Sequence, residues 1–309
     1  MTRSEFVFWL IDVLFYPFQN YKHYDGVVRE KDIVYDSNIP DVCKGDIYYK
    51  AELMGPDKPK MPVVLNIHGG GFEKGDKNYR VSLGERFADQ GYFVWNINYR
   101  LAKKYKIPCG HIDCVNALNY LEVLAEKYNI DLTKVCVTGD SAGGYYAGML
   151  TALAFDDELY KNLGTPEVKI KPALLVGGCG IYDFLETIKQ VKLPFHLVWD
   201  IGRCAISDDN FQLKKDLSNL SDYPLLNYVS SAPYINDKWC PAFLYIAKKD
   251  MFCRGQGEYM EGKLKELNIE VDSYTTLRQQ HCFHLSFWDK ESKAAFKQMF
   301  EFMEKHLKN

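Results

Sequence analysis

The chain of 309 residues is 47% hydrophobic and 26% charged, enough apolar mass for a sizeable core, so one catalytic domain with a lid is more economical than two independent domains. A formal net charge of −3 gives no electrostatic footprint for nucleic acid or an anionic membrane. Nine cysteines, an odd number scattered without a framework spacing, argue against a disulfide scaffold and for reduced thiols in a cytoplasmic protein.

In chain order, residues 6–16 are almost wholly apolar, but Asp12 interrupts the run and no small-residue cleavage site follows it. Its length falls well short of the roughly twenty residues that a membrane-spanning helix needs. The expected structure is an aromatic-rich helix packed over an active site, with residues 1–30 as an N-terminal lid segment. Entry strands are predicted at 32–35 and 46–51, separated by a connection containing Pro and Gly. An alternation follows: strand 63–67, helix 80–90, strand 92–97, helix 111–129, strand 134–138, helix 141–154. Strands rich in Val and Ile that alternate with helices predict an α/β fold, a mostly parallel sheet covered on both faces. A strand at 172–176 resumes the pattern. Residues 184–238 differ, carrying Pro194, Pro224, Pro233 and the polar run Ser207-Asp208-Asp209-Asn210, and read as a lid insertion. Strand 242–247, helix 256–267, strand 270–275 and helix 291–307 complete a single domain over 1–309, with 31–183 and 239–309 as its core.

Two glycine clusters carry the chemistry. His68-Gly69-Gly70-Gly71-Phe72 follows one apolar run, and Gly139-Asp140-Ser141-Ala142-Gly143-Gly144 follows another, so both sit where a buried strand ends. In Gly-x-Ser-x-Gly the serine occupies a sharp strand-to-helix turn, and flanking side chains would collide with neighbouring backbone. The helix after Ser141 points its N-terminal amides at the serine, which makes Ala142 N–H one expected oxyanion donor. The amides of Gly70 and Gly71 are the others, because a main chain without side chains lets a substrate oxygen approach. Neither cluster has the Gly-Lys-Ser/Thr ending of a phosphate loop or the spacing of a dinucleotide fold, so no nucleotide cofactor is expected. His68 is read as holding the glycine loop in shape.

A serine nucleophile needs a histidine base oriented by a carboxylate, in the order Ser, acid, His for this turn. Asp250, just past the 242–247 strand, is the expected acid. Asp183, its competitor, reads better as a cap on the next segment. Gln280-His281-Cys282-Phe283-His284 offers two bases: His281 comes first in the loop, and His284 leads toward the last helix. Cys109, His111 and Cys114 form one cluster that could suggest a metal, but a second ligand pair is lacking, and no metal is expected. Tyr145, in the first turn after the nucleophile, is a substrate-pocket candidate. Phe195, Trp199, Tyr223 and Tyr228, with Phe15, Tyr16 and Phe18, are weaker ones.

These residues resemble the hormone-sensitive-lipase-like branch of the α/β-hydrolases. The two glycine blocks match that branch's signature blocks, and Asn98-Tyr99-Arg100-Leu101-Ala102 with Pro108 and Asp113 is similar to the segment between them. His281-x-Phe283 matches the histidine block. The resemblance covers residue 60 to the end of the sequence, and it implies an α/β-hydrolase fold with Ser141, Asp250 and His281 as catalytic residues. The expected activity is serine carboxylesterase, on short-chain or small aromatic esters and without a cofactor. A formamidase, another amidase or a peptidase using the same triad is the rival enzyme, and a non-catalytic small-ligand receptor is the rival of another class. The expected partner is a small-molecule ester, with no nucleic acid and no membrane, and a homo-oligomer remains open.

Overall fold

The computed structural model describes residues 3–189 and 197–308. Its eight strands are β1 (Val27–Val34), β2 (Lys44–Lys50), β3 (Met61–Ile67), β4 (Phe93–Ile97), β5 (Ile130–Asp140), β6 (Leu174–Gly178), β7 (Ala242–Ala247) and β8 (Val271–Thr276). They form one sheet in the order β1-β2-β4-β3-β5-β6-β7-β8. The pairs β1–β2 and β2–β4 are antiparallel and all the others are parallel. Every residue of β3, β4, β6 and β7 is buried, as near-continuous apolar runs covered on both faces require.

Side chains along β3 alternate between two cores. Val63, Leu65 and Ile67 join the cluster that holds α3 (Cys109–Asn119) and α5 (Ala142–Phe155). Val64 joins the cluster built with α2 (Val81–Asp89) and α10 (Lys290–Leu307). Strand β5, which leads into Ser141, lies mid-sheet, with Ile67 of β3 paired to Gly139, so the two glycine clusters emerge side by side at the carboxyl ends of adjacent strands. That edge is where open α/β sheets place their ligands.

Three elements differ from the sequence expectation. The first strand starts at Val27 rather than 32, because it is a half-exposed edge strand of mixed polarity, and its register shifts between Glu30 and Ile33. The helix expected over 111–129 is two, α3 and α4 (Leu121–Lys127), separated at Tyr120. Strand β5 begins at Ile130, where Asp131 and Thr133 are polar and hide the strand pattern. After α6 (Leu159–Leu163), the described elements between β6 and β7 include α7 (Phe184–Lys189) and α8 (Leu197–Ile206), α9 (Gln256–Glu266) joins β7 to β8, and α1 (Arg3–Gln19) packs against α8.

Candidate active site

Ser141 stands between the last residue of β5 and the first of α5 with φ 55° and ψ −118°, a region that only a surrounding structure can impose on a residue with a side chain. The packing that imposes it excludes side chains nearby. A Cβ on Gly143 would lie 1.9 Å from the Ile67 carbonyl oxygen, and one on Gly139 would lie 2.4 Å from Gly143 backbone. Ser141 N–H donates to the Gly178 carbonyl at 2.8 Å, and Tyr145 N–H donates to the Ser141 carbonyl at 3.0 Å, opening the helix.

The glycine loop is fastened from behind. His68 Nδ1 donates to the Gly69 carbonyl at 2.8 Å, Tyr99 Oη donates to the His68 carbonyl at 2.8 Å, and the two rings stack at 4.5 Å. Ala102 N–H donates to the Phe72 carbonyl at 2.7 Å. Arg100 meets the buried Asp113 carboxylate at 2.7 Å, tying that segment to α3. Gly71 has φ 61°, and a Cβ there would strike the Phe8 ring of α1 at 2.1 Å. Gly71 and Ala142 border one side of Ser141, and Gly70 borders the other.

Asp250 follows β7 by three residues. Its Oδ1 accepts Phe252 N–H and Cys253 N–H, each at 2.8 Å, and its Oδ2 accepts His281 Nδ1–H at 2.7 Å. His281 Nε2 is buried and has no hydrogen-bond partner among the described residues, while His281 and Ser141 line the same cleft. Burial pushes the Asp250 carboxyl up, but the His281 charge, the ring hydrogen bond and the two amides outweigh it and hold it below the usual range. Burial opposes charge on His281, yet the Asp250 carboxylate holds the imidazole well above its ordinary value. A histidine that acts as base accepts a proton only when neutral, so turnover through His281 is expected to rise with pH through this elevated pKa. Asp250→Asn removes the stabilising charge, so the acid limb of the kcat/KM profile should move to lower pH while kcat drops by about 10⁴-fold. An unmoved limb in a pH–rate series would contradict the pairing.

The remaining sequence candidates separate. His284 is buried, stacks on Tyr245 at 4.4 Å and lies beneath the turn beside Gly178. Asp183 caps α7 by accepting Glu186 N–H at 3.0 Å. Tyr145 is fully buried, lines neither space beside Ser141, and shares a 2.9 Å hydrogen bond with His111, whose imidazole burial pushes down to about 3. It packs behind Phe72 because a side chain in the first turn of α5 points into the core on that side. Phe15 lines the cleft; Phe18 is exposed, Trp199 lines a separate groove and Tyr223 packs on Phe211 at 5.3 Å. Tyr228 lies in a short 3-10 turn away from both spaces. Phe195 and the Tyr16 side chain lie outside the described residues. Among the described residues, Cys179, Asp250 and His281 are the one set of potential metal donors that gathers within 4.8 Å, and the Asp250–His281 hydrogen bond accounts for their approach.

Several neighbours of the site were not legible in the sequence. Arg80 clasps Asp140, the residue before the serine, through Nε at 2.7 Å and Nη2 at 2.6 Å, with both side chains buried. Burial pushes the Asp140 carboxyl up, but the guanidinium prevails and lowers it. Arg80→Met would strand that carboxylate and should cost about 3–5 kcal/mol of stability, read as a fall in the denaturant midpoint at constant m-value. Cys253 lies against His281, and Cys179 lies against Cys282. Their positions, three residues after Asp250 and directly after His281, were the available signal.

Two spaces meet at Ser141. A narrow apolar pocket of about 20 Å³ is walled by Phe8, Phe72, Phe184, Ile188, Ile201 and Phe252. A wider cleft of about 320 Å³ opens on the other side past Phe15, Met251, Gln280 and His281.

The BD-FAE family model matches residues 46–263, which spans most of the chain and the described site apart from the loop carrying His281 and the N-terminal helix. The chain belongs to the BD-FAE family. Among curated relatives, this BD-FAE chain is 32% identical over 284 residues to tuliposide A-converting enzyme 2, chloroplastic, of Tulipa gesneriana, covering 87% of this chain and 68% of that one. It is 27% identical over 263 residues to probable carboxylesterase 7 of Arabidopsis thaliana, covering 80% and 79%. In solved structures the BD-FAE chain resembles esterase B of Lactobacillus rhamnosis, with TM-score 0.80 and 20% identity over 99% of this chain and 94% of that one. A bacterial heroin esterase gives TM-score 0.75 and 22% identity over 99% and 92%. These likenesses show the α/β-hydrolase fold.

Proposed function

We propose that this chain is a serine carboxylesterase acting on short-chain or small aromatic esters, with Ser141 as nucleophile, His281 as base and Asp250 as the positioning carboxylate. The observation that carries the reading is His281, whose Nδ1 is committed to a buried carboxylate while Nε2 stays without a partner in the cleft that also holds Ser141. Nε2 takes the Ser141 proton as Oγ attacks the ester carbonyl. The oxyanion draws on Ala142 N–H at the start of α5 and on Gly70 and Gly71 N–H, and losing one such donor typically costs about 3 kcal/mol. His281 returns the proton to the leaving alcohol, then activates the water that cleaves the acyl-enzyme.

The narrow pocket beside Gly71 and Ala142 leaves room for no more than a small acyl group, and the wider cleft beside His281 suits the alcohol. Phe8 and Phe15 of α1, with Ile188 and Ile201 of the 184–238 insertion, supply walls to these spaces, which supports a lid role for both segments. The name of one relative, a probable carboxylesterase, favours ester chemistry. All nine thiols are free, which supports a reducing, cytoplasmic setting. A panel of nitrophenyl acetate, butyrate and decanoate beside formyl-amide and peptide substrates tests the reading: the short esters should be turned over fastest. Amide turnover exceeding ester turnover would replace it with the amidase or peptidase alternative, and tight binding of an ester with no turnover would point to a receptor.

A further inference from the structure

Helix α1 is apolar on its solvent-facing side as well as on the side that packs against the core. Its inward face carries Ser4, Glu5 and Phe8, all buried, with Glu5 paired to Lys74 at 3.2 Å and Lys103 at 3.0 Å. The opposite face, at helical spacing, carries Arg3, Phe6, Leu10, Val13, Leu14 and Pro17, all exposed. Of fifteen large hydrophobic side chains exposed among the described residues, eight lie between positions 6 and 21, so the exposure is one patch rather than scatter. Trp288 extends the patch by meeting Phe18 edge-on at 5.9 Å. A groove at the helix's N-terminal end is lined by Arg3, Lys103, Lys106, Arg203 and Lys215, with Asp200 the single acid among its described lining residues. The chain as a whole is acidic, so these cations are a local concentration against its net charge of −3.

We infer that the outward face of α1, with the basic groove at its end, docks on the surface of an anionic phospholipid bilayer. The exposed aromatic and aliphatic side chains of α1 lie beside Lys and Arg supplied mostly by neighbouring segments, so that apolar burial in the headgroup plane and attraction to anionic lipid add together. No described helix is long and apolar enough to cross a membrane, so the contact is parallel to the surface. A second copy seated on this face would bring two basic grooves toward one apolar seam and would crowd the cleft mouth at Phe15 and Met251; a lipid surface matches the charge and leaves its own apolar solutes facing that mouth. The consequence that lipophilic esters enter from the bilayer rests on the esterase reading, whereas the docking does not.

Flotation of the full chain with vesicles of phosphatidylcholine alone and of phosphatidylcholine with phosphatidylserine tests this. Binding is expected to the mixed vesicles, to weaken with salt, and to drop about tenfold or more in a Lys106→Ala, Arg203→Ala double variant. Leu10→Glu with Leu14→Glu should abolish binding while hydrolysis of water-soluble nitrophenyl acetate stays at the wild-type level, which reports intact folding. Wild-type chain that floats with neither vesicle, or that binds equally well with both leucines replaced, overturns the inference. A wild-type dimer split by the leucine variant, without vesicle binding, overturns it in favour of a copy interface. Vesicle binding without any ester turnover would uphold the docking and remove only the esterase reading.

Discussion

Ser141→Ala is expected to lower kcat for a nitrophenyl ester by about 10⁶-fold, leaving the slow residual turnover that oxyanion amides and substrate binding sustain without a nucleophile. The size follows from the mechanism: the serine, the base and the carboxylate act as one unit, so removing the nucleophile forfeits what all three supply together. Stability should hardly change, because alanine occupies the same φ of 55° with the same strain as serine. Replacement by glycine at that position should instead raise the unfolding midpoint, since glycine adopts positive φ freely. A stable, folded alanine variant that retains ester turnover would remove Ser141 from the reaction.

The second large effect separates two histidines three positions apart. His281→Ala should match the loss at Ser141, about 10⁶-fold in kcat, because the ring that receives the proton is gone. His284→Ala should act on the fold instead. Its ring is buried against Tyr245 under the nucleophile turn, so truncation leaves a cavity costing about 3 kcal/mol, read in denaturant unfolding, while the folded fraction keeps its turnover. Equal kinetic losses in both variants, with equal stability, would mean that the Nδ1–Asp250 hydrogen bond does not mark the base.

Motifs whose chemistry is local were readable from residues alone. The positive φ at Ser141 and the sub-van-der-Waals space around Gly139 and Gly143 follow from the Gly-x-Ser-x-Gly spacing, and alternating apolar runs announce a covered parallel sheet. What the sequence hid depends on distance in the chain. Arg80 and Asp140 are sixty positions apart, and Phe8 reaches the glycine loop from the first helix, so no window of sequence contains either contact. Tyr145 misled for a related reason: its place one turn after the serine suggests the pocket, but the helix phase turns it into the core toward His111. The outward apolar face of α1 was equally hidden, since a run of hydrophobic residues looks the same whether it packs inward or outward, and only the fold fixes its direction.

The measurement closest to the central claim is covalent labelling with a nitrophenyl phosphonate followed by peptide mapping of the adduct. Stoichiometric phosphonylation of the peptide bearing Ser141, fast in the wild type and slow in His281→Ala, is the predicted result. An adduct on a different residue, or labelling at Ser141 that proceeds equally fast without His281, would contradict it.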